Sequence, residues 1–233
     1  MDRIEFIRKE EKEYHDFCYD HYKLFEAGSW LHKPVKTVID LIPLLADSPQ
    51  PMILDLGAGV GRNSIPLAKA IKEKEGKVIC VDLLDSALEK LVQYSEKYQV
   101  NEVIQTVKAD IEHYPINPDE FDLIVAVSSL EHVRTEAIFT KTLERMAKGT
   151  KENGINCIIV NSEVEEINIE TNEKLDALIE LNIPTNEMIK KLQEAYLGWK
   201  QLDTIVKRLE YKIVRNEKPV LLKTNAITFV VSK

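Results

Sequence analysis

The sequence predicts an α/β fold in which a mostly parallel sheet carries helices on both faces. Short apolar runs alternate with amphipathic stretches over residues 53–160, which is typical of parallel strands joined by crossover helices. An apolar run ending in Asp55 leads into a turn with three glycines, as at the carboxyl edge of such a sheet. With 233 residues, 44% hydrophobic and 30% charged, the chain is long enough for one globular domain with additions.

Two helices are predicted before the first strand. The first is charged, covers residues 2–27, and has apolar residues at helical spacing, with anchors at Phe6, Phe17, Tyr22 and Phe25. A Gly-Ser-Trp loop at residues 28–34 separates it from a second helix at 35–45. Pro51 closes the connection to the sheet, because proline does not continue a helix.

The elements after the glycine turn alternate. A helix at 64–74 accepts Pro66 in its first turn, where the missing N–H has no intrahelical partner. Further helices are predicted at 85–98, 135–148 and 185–197, the last capped by Thr185. Apolar runs predict later strands at 77–82, 103–108, 121–127, 155–160, 199–208, 210–216 and 226–231, with a turn at Lys218-Pro219.

The chain divides into a helical extension or cap at residues 1–48 and a main domain at residues 49–233. Within that domain, residues 161–183 are acidic and poor in large apolar side chains, and a connection of that length is typical of a lid or substrate-binding insertion. We expect residues 1–34 and this insertion to cover the binding site from opposite sides. The sheet itself is expected to form without residues 1–34.

The turn after the first strand has the sequence Asp55-Leu56-Gly57-Ala58-Gly59-Val60-Gly61 and leads into a helix. Glycine lets a ligand lie directly against the backbone, and a helix N-terminus offers unpaired N–H groups. Dinucleotide-binding turns have the spacing G-x-G-x-x-G, which differs from the D-x-G-x-G-x-G found here. An acid beside the turn would repel a pyrophosphate but suits a cofactor with an ammonium group.

Acidic residues also follow the next strands. Asp82 ends a buried strand, where a carboxylate can accept hydrogen bonds from ribose hydroxyls or cap the following helix. Asp110 follows the third strand, although an acid in a loop is often only a turn former. Phe121-Asp122 opens an apolar run typical of a central strand, and Ser128 to His132 come after its carboxyl end.

Together these motifs resemble the class I S-adenosylmethionine-dependent methyltransferases over residues 50–233. The resemblance implies a Rossmann-like, doubly wound, mostly parallel seven-stranded sheet with an antiparallel C-terminal strand. It implies S-adenosyl-L-methionine as cofactor, with the Asp110 carboxylate at the adenine amino group. The implied cofactor-binding residues are Asp55, Gly57, Ala58, Gly59, Asp82, Leu83, Asp110, Ile111 and Ser128.

A narrower resemblance is to the tellurite-resistance methyltransferase branch, on the segments 61–64, 153–160 and 194–199. Three features depart from that branch. Ala58 stands where the branch has Cys, Ser128 to Val133 has the SxLEHV form common in small-molecule methyltransferases, and the N-terminal residues are extra.

The family chemistry needs an in-line displacement with water excluded. His132 is the candidate general base, because histidine titrates near neutrality, and Glu131 is a second catalytic candidate. Alternatively, His132 only packs at the start of the next helix and Glu131 only complements that helix dipole. Aromatic faces hold cations, so the substrate-binding candidates are Trp30, Tyr196 and Trp199, which otherwise are core residues. His15 and His21 are expected on the surface of the first helix.

We therefore expect a methyltransferase that acts on a small molecule. A noncatalytic S-adenosylmethionine-binding protein is the alternative, and a nicotinamide-dependent oxidoreductase is disfavoured by the glycine spacing. The net charge of −8 argues against a nucleic-acid partner, and no apolar segment approaches the roughly 20 residues that span a membrane. The three cysteines show no metal-ligand spacing, so a cytoplasmic protein without a metal is expected, as a monomer or a homodimer.

Overall fold

The computed structural model describes residues 2–215 and 218–233, and these residues build one mixed sheet. The strands lie in the order β3-β2-β1-β4-β5-β8-β7, and β6 pairs with β5. Strands β1 to β5 are parallel, whereas β8 runs antiparallel between β5 and β7. The predicted fold class is confirmed. The bounds are β1 (Met52–Leu56), β2 (Lys77–Asp82), β3 (Ile104–Lys108), β4 (Phe121–Val127), β5 (Thr150–Asn168), β6 (Lys174–Leu175), β7 (Lys200–Arg215) and β8 (Lys218–Ser232).

The helices are α1 (Arg3–His21), α2 (Lys36–Asp40), α3 (Ser64–Ile71), α4 (Asp85–Lys97), α5 (Glu136–Gly149) and α6 (Thr185–Ala195). Helix α1 starts with a capping box between Asp2 and Glu5 but ends six residues before the predicted end. The second predicted helix is broken into α2 and a 3₁₀ turn, Ile42–Leu45, in which Pro43 has no N–H for an α-helical bond. Helix α6 begins at Thr185, so the predicted cap at that residue is wrong; its hydroxyl contacts Ser162 instead.

Alternate residues of the parallel strands face two separate apolar cores. On β1, Ile53 faces a core that helices α1 to α4 cover, and Leu54 faces a core that α5 and α6 cover. Both side chains are fully buried. This burial on both faces explains why the strands read as continuous apolar runs in the sequence.

The C-terminal strands are much longer than predicted. Strand β5 continues to Asn168, so the predicted insertion at 161–183 begins inside a strand. The two strands predicted at 199–208 and 210–216 are one strand, β7, and residue 216 lies outside the described residues. The turn predicted at Lys218-Pro219 is the start of β8. Strand β7 is exposed over most of its length, so its residues show no alternation that marks a continuous strand.

The N-terminal segment packs into the same core as the sheet. Leu24 and Leu31 are each 1% exposed and belong to the core that α3 and α4 cover. Polar contacts join the segment to the glycine turn: the Val35 N–H donates to Asn63 Oδ1 at 3.0 Å, and Arg62 Nη1 donates to the Trp30 carbonyl at 3.0 Å. Residues 1–34 therefore contribute to the core, and that the sheet forms without them stays a prediction.

We expect Leu31→Ala to lower the free energy of unfolding by about 2–5 kcal/mol, because it leaves a cavity in a packed core. The matched control is Leu44→Ala in the same segment, where the side chain is 58% exposed and the expected change is within about 0.5 kcal/mol. Urea unfolding followed by circular dichroism measures both. Equal, small losses would show that the N-terminal segment is not part of the cooperative fold.

Candidate functional site

A cavity of about 870 Å³ opens at the carboxyl ends of β1, β2 and β4. Its floor is the glycine turn with Asp82, its roof is α1 with residues 178–180, and its far wall is formed by β5, β7 and β8. Eight of the nine predicted cofactor-binding residues line it, namely Gly57, Ala58, Gly59, Asp82, Leu83, Asp110, Ile111 and Ser128.

The turn requires glycine because of its backbone conformation and its close packing against neighbouring side chains. Gly57, Gly59 and Gly61 have φ of +79°, +53° and +91°, a region that other residues rarely adopt. A Cβ on Gly57 would lie 2.4 Å from Ser129 Cβ, and one on Gly61 would lie 2.3 Å from Leu91 Cδ1. The turn therefore packs against the loop after β4 on one side and against α4 on the other.

The two acidic residues of the turn have different positions. Asp82 lines the cavity, and its oxygens accept the N–H groups of Gly59 at 2.8 Å and Leu84 at 2.9 Å. Burial raises the pKa of Asp82, and these backbone donors lower it in part. Asp55 lies behind the turn, 2% exposed and absent from the cavity wall, where it accepts the Ser64 hydroxyl at 2.6 Å. Burial raises the pKa of Asp55 to about 6. Because Asp55 lies behind the turn and bonds to Ser64, it stabilises the turn and does not line the cavity.

Arg8 of α1 joins three acidic groups at the roof of the cavity. Its guanidinium lies 2.9 Å from Asp110, 3.2 Å from Glu112 and 3.6 Å from Glu180. The carboxylate predicted to hold adenine is thus already paired with α1 through one oxygen. Its other oxygen accepts the Glu112 N–H at 3.0 Å.

Helix α1 and residues 176–180 contact each other directly. Arg3 donates to the carbonyls of Ala177 at 3.0 Å and Ile179 at 3.3 Å. Deeper in the cavity, Arg215 of β7 lies 3.3 Å from Glu11 of α1 and 3.5 Å from Glu166 of β5. The two segments expected to close from opposite sides therefore form one continuous roof.

His132 and Glu131 lie after β4 at the cavity wall. His132 Nδ1 is 2.9 Å from Glu180 Oε2. Burial lowers the pKa of His132, but the Glu180 hydrogen bond and the charges of Glu131 and Glu11 raise it more, to about 9. A raised pKa favours the protonated imidazole at neutral pH, so the role of His132 as a general base stays a prediction.

Glu131 is 1% exposed, and its Oε1 accepts both the backbone N–H, at 3.2 Å, and the side-chain amide, at 2.5 Å, of Asn161. Its Oε2 is buried without a hydrogen-bond partner among the described residues. Burial raises the pKa of Glu131, while the His132 charge lowers it in part. A buried carboxylate oxygen without a donor is costly, so this atom favours a ligand that supplies one.

The predicted aromatic residues lie on opposite faces of the sheet. Trp30 lines the cavity beside Arg62, whose Cζ lies 5.1 Å from the indole ring centroid. Tyr196 and Trp199 do not line it: they belong to the core on the opposite face of the sheet, where Tyr196 packs against Phe229. Their prediction as substrate-binding residues is wrong, because the end of α6 packs behind β5 and β8.

Sequence reasoning missed the helix α1 residues of the site. Arg8, Glu11, His15 and Tyr19 all line the cavity, including the histidine assigned to the surface. His21, in contrast, is exposed as expected. The missed residues are three or four positions apart, so they share one face of the helix. That spacing was the available signal, and the mixture of charges concealed it because buried helix faces are usually apolar.

The comparisons with known proteins agree with this fold. Residues 53–154 match the family model of a methyltransferase domain. Together with the sheet order and the Asp82 turn, this match shows that residues 53–154 are similar to the methyltransferase domains whose methyl donor is S-adenosyl-L-methionine. The cavity fits that cofactor, because the glycine turn with its positive φ angles, the Asp82 carboxylate and the Asp110 carboxylate all line it.

Three solved structures illustrate the fold. TehB from Haemophilus influenzae is 20% identical with a TM-score of 0.63, and the alignment covers 94% of this chain and 66% of TehB, so the chain spans about two thirds of that protein. YcgJ from Bacillus subtilis is 14% identical (TM-score 0.61; 85% and 99% covered), and a SAM-dependent methyltransferase from Methanosarcina mazei is 15% identical (TM-score 0.57; 86% and 98% covered). No curated protein matches the chain in sequence.

The described residues contain neither a membrane-spanning helix nor a metal-binding cluster. No helix in the described part of the chain is long and apolar enough to cross a membrane. Within residues 2–215 and 218–233, no group of three His, Cys, Asp or Glu side chains could hold a metal ion. Cys18, Cys80 and Cys157 are buried free thiols.

We expect Asp82→Asn to weaken binding of S-adenosylhomocysteine at least tenfold. The amide keeps the shape of the side chain but loses a charged acceptor, and a hydrogen bond to a charged group contributes about 1.5–3 kcal/mol. Asp85→Asn is the control, because Asp85 begins α4, does not line the cavity and pairs with Lys108 at the surface. Titration calorimetry measures both variants; equal affinities would remove Asp82 from the cofactor site.

We expect the imidazole of His132 to titrate with a pKa of about 9 in a proton NMR titration. Glu180→Gln should lower that pKa by removing the hydrogen-bonded carboxylate. Because the folded-state pKa exceeds the ordinary value of 6.5, the bound proton stabilises the fold below pH 6.5, and this stabilisation is lost as the pH rises through about 9. A pKa unchanged in Glu180→Gln would show that this contact does not control the proton.

Proposed function

We propose that this protein transfers the methyl group of S-adenosylmethionine to a small-molecule acceptor bound in the same cavity. The observation that carries the proposal is the continuity of this cavity from the Asp82 turn to Glu131 and His132 beneath α1. The cavity volume of about 870 Å³ is within the range of small-molecule binding sites, and it is larger than the volume that one ligand usually needs.

The roof and the charge of the protein support a small acceptor. Helix α1 and residues 178–180 line one side of the cavity and narrow the space in which an acceptor can lie. The net charge of −8 disfavours nucleic acids, because binding phosphates requires a basic face.

The bound cofactor supplies an electrophilic methyl group on a positively charged sulfur. Asp82 and Asp110 would hold its ribose and adenine. Ser128 and Glu131 face the space beyond the turn, where the acceptor lies. The α1 roof excludes water, and the ion pairs of Arg8 and Arg215 keep that roof in place.

The acid and base roles differ from the sequence-based expectation. Protonated His132 donates a hydrogen bond to Glu180 and is a fixed positive charge beside the acceptor. Glu131 is the group able to accept a proton, because burial raises its pKa and one of its oxygens has no partner. We therefore assign the general base to Glu131 and electrostatic positioning to His132.

The test is transfer of radiolabelled methyl groups from S-adenosylmethionine to a panel of metabolites. We expect labelled product with the wild-type protein and a loss of at least a hundredfold in kcat with Glu131→Gln, since a positioned general base contributes about 10²–10⁴-fold. Binding of S-adenosylhomocysteine should change little in that variant. Cofactor binding without turnover of any acceptor would instead support a noncatalytic binding protein.

A further inference from the structure

We propose that the methyl acceptor is an amine that is positively charged in solution and has an apolar body, and that Glu131 recognises its nitrogen. This inference deepens the proposed function and rests on it. It follows from one unpartnered buried carboxylate oxygen, from the pairing of three cavity cations with other acids, and from the apolar residues of the far wall.

The first step is the state of Glu131. The side chain is 1% exposed and lines the cavity, and only neutral amide groups of Asn161 donate to it. No lysine, arginine or histidine in the described part of the chain forms an ion pair with it. An ionised carboxylate in such a place lacks one charged donor, and an ammonium group supplies it.

The second step is that three cations of the cavity, Arg8, Arg215 and His132, are already paired with other acids. Arg8 lies against Asp110, Glu112 and Glu180, and Arg215 lies against Glu11 and Glu166. His132 is bonded to Glu180. These three cations therefore have acidic partners other than Glu131, and an acceptor cation beside Glu131 is favoured over a carboxylate or phosphate at that place.

The third step is the apolar character of the far wall. Beyond Glu131 the cavity is bounded mainly by apolar side chains from β5, β7 and β8 and from the roof, with the Arg215–Glu166 ion pair beside them. The apolar side chains are Ile159, Val164, Leu178, Leu209, Ile213 and Leu222. Apolar surface of this kind binds alkyl or aryl groups in proportion to the area buried. The acceptor consequently has one cationic nitrogen and an apolar body.

The chemical step balances with these groups. The Glu131 carboxylate takes one proton from the ammonium group, which leaves a neutral amine with a lone pair. That lone pair forms the N–C bond to the methyl group as the C–S bond breaks, and the C–S electron pair stays on sulfur. The products are an N-methylammonium ion and the neutral thioether form of the cofactor. Solvent then receives the proton held by Glu131.

The experiment measures binding of matched probes to the protein saturated with S-adenosylhomocysteine. The amines are n-butylamine, n-octylamine and phenethylamine, each compared with the alcohol and the carboxylic acid of the same skeleton. We expect the amines to bind at least tenfold more tightly than their alcohols, and the acids to bind most weakly. Affinity among the amines should rise with apolar area.

Glu131→Gln should weaken amine binding at least tenfold and change alcohol binding less than threefold. Glu187→Gln, which removes an equal charge from the exposed face of α6, should change neither. Alcohols equal to amines in the wild-type protein, or amine affinity unchanged in Glu131→Gln, would overturn the inference. Failure of S-adenosylhomocysteine to bind at the outset would instead overturn the proposed function, so the two failures are distinct.

Discussion

The close packing of Gly57 against Ser129 is the contact on which the rest of the site depends. Because Gly57 has no Cβ, the loop after β4 sits directly on the turn after β1, and the Ser129 hydroxyl donates to the Leu56 carbonyl at 2.7 Å. The turn that binds the cofactor and the loop that carries Glu131 are thereby fixed to each other. Two neighbouring parallel strands can bring donor and acceptor together only if their carboxyl ends are held at this distance.

Helix α1 adds a wall to the cavity at that edge of the sheet. It is anchored by buried apolar residues and also by Arg8, Glu11 and their partners on β5, β7 and the 176–180 segment. Removing charged groups from water is costly. The attraction within an ion pair offsets that cost only when each charged group has its hydrogen-bond partners. Glu131 has no such partner among the described residues, and the proposed chemistry of the acceptor rests on that difference.

The sequence was sufficient for the parts of the structure that local pattern determines. The parallel strands, the glycine turn and the line of residues from Gly57 to Ser128 at the sheet edge follow from periodicity and from strand ends. The α1 face was not predictable in this way, because Arg8 and Glu11 are ordinary surface residues until partners distant in sequence bury them. Likewise, Tyr196 and Trp199 depended on which face α6 covers, and the pKa of His132 depended on Glu180, 48 positions away.

The most direct test of this account is the environment of the transferred methyl group. S-adenosylmethionine carrying a ¹³C-labelled methyl group can be bound to the protein, and nuclear Overhauser effects from that methyl group identify the side chains beside it. The account predicts contacts with protons of Glu131 or His132 beneath α1. Contacts confined to residues outside the cavity, such as Tyr196 or Trp199, would contradict it, because the donor would then face the wrong side of the sheet.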